Sequence, residues 1–83
     1  MAKKKFPESV MDKPYFEAAF SKLTSREQAY LDYRFGMDHS HKKRTRKETA
    51  HHFYLTESWA KTTETHALEH LRELISVEKE KFN

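Results

Sequence analysis

Eighty-three residues with one glycine, two prolines and no cysteine leave room for one small domain, and exclude disulfides and cysteine-bound zinc. Charged residues make up 35% of the chain and hydrophobic ones 36%, so nothing approaches the roughly 20 apolar residues of a membrane-crossing helix, and no apolar run after Met1–Lys5 suggests a secretory leader. The net charge of +3 suits an anionic partner without requiring one.

Residues 1–11 contain the run Lys3-Lys4-Lys5 and Pro7 and show no hydrophobic period, so they read as a flexible basic arm. A helical domain is expected over 12–77, followed by a frayed charged tail, 78–83. A chain this short buries only about 60% of its unfolded surface, so stability without staples demands close helix packing. The scarcity of turn residues argues against a strand-rich fold.

Four helices are expected in chain order. The first starts near Asp12 as N-cap, with Pro14 in the first turn, where a missing N–H costs nothing. Phe16, Ala19, Phe20 and Leu23 then form one apolar stripe at i, i+3, i+4 and i+7. The second opens on Thr24-Ser25-Arg26-Glu27, a capping box, and buries Tyr30, Leu31 and Phe35. It stops at Gly36, where a left-handed residue is expected.

A polar loop, 37–44, leads to a second capping box, Thr45-Arg46-Lys47-Glu48. The third helix is short and runs through Ala50 to Phe53, and Tyr54 and Leu55 make a turn. Thr56 caps a longer fourth helix. Its stripe is Ala60, Thr63, Ala67, Leu71 and Leu74, with Leu68 and Ile75 alongside. Short helix, tight turn and long helix over 45–75 make a helix-turn-helix. Ala50 is small where the two helices approach, and Leu55 is placed to plug the angle between them.

At these residues the chain resembles the C-terminal domain, region four, of bacterial sigma factors. Leu23-Thr24-Ser25-Arg26-Glu27, then Leu31 and Arg34-Phe35-Gly36, is similar to that family's Leu-Thr-Pro-Arg-Glu, leucine and Arg-Phe-Gly. Thr45, Glu48, Ala50, Phe53, Leu55, Thr56, Ala60, Glu64, Ala67, Leu68, Leu71 and Arg72 fall in ungapped register with its helix-turn-helix. The resemblance implies an all-α, four-helix domain whose last helix enters the major groove of double-stranded DNA at an upstream promoter element. It also implies docking on the β flap of RNA polymerase, and a cytoplasmic location. At this length the chain would be a stand-alone sigma-like module or a piece of something larger.

The family's groove-reading positions carry over to Glu57, Ser58, Lys61 and Thr62, where members commonly place Arg, Glu, Arg and Gln. Trp59 stands where an arginine is common. With Thr56 these are the base-proximal candidates: Thr56, Glu57, Ser58, Trp59, Lys61 and Thr62. Across Thr56–Ile75, Lys61 and Arg72 face Glu57, Glu64, Glu69 and Glu73, a net acidic helix. Positive charge collects instead at Lys42, Lys43, Arg44, Arg46 and Lys47, the phosphate candidates.

Tyr15, Phe16, Phe20 and Tyr33 are the candidates for a protein-binding surface, because a core this small cannot hide every ring. They support the rival reading: a module that binds RNA polymerase, or a sigma or anti-sigma partner, without specific DNA binding. The six histidines include His66 and His70 at i, i+4, but no further ligand has the right spacing, so no metal site is expected. No nucleophile constellation, cofactor motif or small-molecule site is visible, and the protein is read as a non-enzyme.

Overall fold

The computed structural model describes residues 15–37 and 40–81. The expected Asp12 cap, Pro14, the basic arm and residues 82–83 lie outside them. The described residues form four helices, α1 (Tyr15–Phe20), α2 (Ser25–Phe35), α3 (Arg46–His52) and α4 (Glu57–Lys81). None is long and apolar enough to cross a membrane.

The stripe of α1 faces inward, with Phe16, Ala19 and Leu23 each at most 5% exposed. Phe20, expected on the same stripe, is half-buried and stacks on Phe16 at 5.6 Å. In α2 the capping box forms as expected: the Glu27 N–H donates to the Thr24 hydroxyl at 3.1 Å, and the Thr24 N–H to the Glu27 carboxylate at 2.9 Å. The helix ends on Gly36 at φ 73°, and the N–H groups of Gly36 and Met37 both donate to the Asp32 carbonyl. The second box repeats the device on α3, with Glu48 N–H to Thr45 hydroxyl at 3.0 Å and Thr45 N–H to Glu48 carboxylate at 2.8 Å.

α4 is the spine on which α1, α2 and α3 all pack. Ala60, Ala67 and Leu71 are fully buried along it, and Leu68 and Ile75 nearly so. Ala50, at 3%, and Thr49, at 0%, let α3 lie close against it. The Thr49 hydroxyl is satisfied by the Thr45 carbonyl at 2.8 Å, which is what allows a polar side chain there. Leu55 packs against the core from the turn, as its apolar character predicts.

The expected frayed tail is helical as far as Lys81. The reason is Glu78, which is 6% exposed and accepts hydrogen bonds from Lys22, just past α1, and from Lys81 at 3.3 Å. Of the alternating Lys and Glu residues, Glu78 is buried and paired, while Lys79, Glu80 and Lys81 remain exposed.

Candidate nucleic-acid interface

The Thr56 hydroxyl accepts from the Trp59 N–H at 3.0 Å and so starts α4. Ala60 turns inward, and the opposite side of the first two turns presents Glu57, Ser58, Trp59 and Lys61 to solvent, with Thr62 half-buried beside them. The Thr62 hydroxyl donates to the Ser58 carbonyl at 3.3 Å. Trp59 is 60% exposed and lies outside the buried core. With Arg26, Leu55, Thr62 and His66 it lines an open cleft of about 460 Å³.

The net acidity counted along α4 looks different in three dimensions. Glu64 is buried, and its carboxylate accepts from Arg34 Nε at 2.9 Å, the Tyr30 hydroxyl at 3.1 Å and Arg46 Nη2 at 3.4 Å. Two guanidinium groups thus neutralise it before it meets any ligand. Burial, then the Glu64 charge and its hydrogen bond, pushes the Tyr30 hydroxyl well above its usual range, so Tyr30 stays a donor. On the first two turns only Glu57 and Lys61 remain as surface charges, and they balance. Glu69 and Glu73 lie two or more turns further along.

The phosphate candidates divide. Lys42, Lys43 and Lys47 are exposed, and Lys42 and Lys47 share a shallow cleft of about 560 Å³ with Tyr33, Arg44, His51 and one carboxylate, Glu48, so three cations there outweigh one anion. Lys43 lies with its ammonium 6.0 Å from the Phe35 ring. Arg44 is a structural clamp: its guanidinium donates to the Tyr33 carbonyl at 2.9 Å and the Ser40 hydroxyl at 2.8 Å, and lies 3.8 Å over the Tyr33 ring. The Arg44 N–H also donates to the Arg34 carbonyl, and Arg34 returns a bond to the Arg44 carbonyl, so the loop is laced to the end of α2. Arg46 turns toward Glu64, away from the other four.

Two of the protein-binding candidates have little free surface in the folded domain. Phe16 is 4% exposed and belongs to the core. Tyr33 is sandwiched, with His52 stacked at 3.8 Å and 11° on one face and Arg44 on the other, so neither ring face is open to a partner. Tyr15 and Phe20 are half-buried against the core. Among the described residues the large apolar side chains that do stand in solvent are Tyr54, 95% exposed, then Trp59 and Val77. Tyr54 escaped the sequence reading, although a helix end that closes without glycine or asparagine was a visible signal. Among the described residues no three His, Asp or Glu side chains gather as metal ligands, and His70 is engaged with Glu27 at 2.9 Å.

Comparison with known proteins agrees with this architecture. The model of the family described as sigma-70, region 4, matches residues 19–73. The chain belongs to the sigma-70 region 4 family. No curated protein and no solved structure matches it. The matched span runs from α1 through most of α4 and includes both capping boxes and the whole helix-turn-helix. Membership makes this an all-helical, DNA-binding transcription domain, and the family's domains bind DNA and RNA polymerase.

Proposed function

We propose that this sigma region 4 domain binds duplex DNA without catalysis, in the cytoplasm, as part of transcription. The first two turns of α4 lie in the major groove, and Lys42, Lys43 and Lys47 meet the phosphates beside it. One observation supports this above the others: the outer side of the α4 start is open and nearly neutral, and a basic cleft from the loop and α3 lies on the same helix-turn-helix. A helix about 10–12 Å across fits a major groove about 12 Å wide. Arg44 and Arg46 then serve as positioning residues, Arg44 by holding the loop and Arg46 by neutralising Glu64. Ser58, Lys61 and Thr62 are the polar groups nearest the bases, and Trp59 offers an apolar face suited to a thymine methyl.

A salt titration tests the reading. Three phosphate contacts predict a slope of about −2.7 in log affinity against log salt, and changing Lys42, Lys43 and Lys47 together to alanine should nearly abolish it. A slope unaffected by the triple change refutes the assignment. If the protein retards no duplex at low salt but is retained by RNA polymerase, the interaction-module reading replaces this one.

A further inference from the structure

Two helices end on a left-handed residue, and the two ends are built alike but filled differently. At the end of α2 the residue is Gly36, φ 73°, followed by Met37, whose N–H reaches back to the Asp32 carbonyl at 2.9 Å. At the end of α3 it is Tyr54, φ 58°. There the Tyr54 N–H donates to the His51 carbonyl at 3.2 Å and the Leu55 N–H to the Ala50 carbonyl at 2.8 Å. This paired closure favours glycine, because a Cβ crowds the backbone in the left-handed region. The chain spends its only glycine on α2 and places a bulky aromatic residue in the helix-turn-helix.

The two hydrogen bonds hold the Tyr54 backbone in that conformation, but a glycine would make them without the strain, and the fold gains nothing from the side chain. Tyr54 is 95% exposed, so its ring contributes almost no burial to the fold. A large ring kept in solvent at a position that favours glycine points to a partner. Tyr54 stands two residues before the Thr56 cap, so its Cα lies within about 7.6 Å of that of the residue that opens α4. In a helix-turn-helix the first helix crosses the DNA backbone and the second lies in the groove, so the turn that joins them, where Tyr54 sits, passes close to the phosphate strand.

We propose that Tyr54 is a DNA-backbone contact whose hydroxyl donates to a phosphate oxygen bordering the groove that α4 enters. This inference rests on the duplex-binding reading above. Tyrosine is suited to the role, because it hydrogen-bonds phosphate without adding charge. It fixes the depth and angle of α4 while the lysines supply the salt-dependent attraction.

The test compares wild type, Tyr54→Gly and Tyr54→Phe on a fluorescent duplex of mixed sequence at low salt, with thermal midpoints measured alongside. Tyr54→Gly should raise the midpoint by about 4–8 °C and weaken binding ~5-fold or more. A merely structural residue would not move the two in opposite directions. Tyr54→Phe should leave the midpoint unchanged and weaken binding similarly. Neither variant should change the salt slope, because tyrosine releases no counterion. A midpoint that fails to rise in Tyr54→Gly overturns the strain argument. Wild-type affinity in either variant overturns the phosphate contact and leaves the duplex reading standing, whereas a wild-type protein that binds no duplex overturns both.

Discussion

At Gly36 two demands coincide. The residue sits at φ 73°, and a Cβ there would come within 2.8 Å of the Lys42 carbonyl carbon and 3.0 Å of the Lys42 nitrogen. The first demand costs an L-residue roughly 1–2 kcal/mol. The second is steric: the backbone of the basic loop passes directly over the helix end and must move. Gly36→Ala should therefore lose about 2 kcal/mol or more in urea denaturation and also weaken duplex binding, because the displaced segment carries Lys42 and Lys43. A Gly36→Ala protein as stable as wild type would show that the loop does not hold this path. The sequence showed that a glycine was needed at the end of α2. It did not show that the loop crosses there, since that approach is set by Arg34 and Arg44 lacing the two segments together.

Among the helices, α3 and α4 are held by small residues at their contact and by a buried charge beside it. Glu64 joins α4 to α2 through Tyr30 and Arg34 and to α3 through Arg46. Removing one member of such a cluster leaves charges desolvated and unpaired, which costs about 3–5 kcal/mol. Glu64→Ala should thus remove a large share of a stability of order 5–15 kcal/mol, while Glu64→Gln should cost less, about 1–3 kcal/mol, because it keeps an acceptor for Arg34. Equal urea midpoints for wild type and Glu64→Ala would refute the cluster's role. This is also where sequence reading reached its limit. The capping boxes, Gly36 and the apolar stripes are local signals, and all of them form as expected. Glu64 looks like one more surface charge on an acidic helix, and only tertiary contact with α2 and α3 shows otherwise. That Phe16 is buried and Tyr33 sandwiched was hidden from the sequence for the same reason. Their burial depends on neighbours many positions away, whereas the exposure of Lys42 and Lys43 follows from their place in a polar loop, and that of Lys47 from the first turn of a short polar helix.

Across the whole molecule three carboxylates share a pH signature: Glu27 and Glu78 tie distant segments together, and Glu48 caps its own helix. Burial alone would raise Glu27, but the Thr24 backbone N–H, His70 and the Thr24 hydroxyl together outweigh it and hold the carboxyl below its usual 4.5. The Thr45 backbone N–H lowers Glu48, and the Lys22 ammonium lowers Glu78. Each group is ionised to lower pH in the folded chain than in the unfolded one. As acid is added the unfolded state takes up protons first, so the stabilisation is present above the unfolded value and lost as pH falls through the folded ones. Lys22 runs the other way: its bond to Glu78 raises it above 10.5, and its contribution is lost only as pH rises through that higher value. The thermal midpoint should therefore be level from about pH 7 to about pH 5 and fall steeply below it. Glu27→Gln should lower the level part and make the acid fall shallower, because it removes a proton that the folded state resists taking up. A wild-type midpoint that stays constant through the acid range would mean that these carboxylates are no better solvated by the fold than by water, and that the Glu27–His70 pair adds nothing to the joining of α2 and α4.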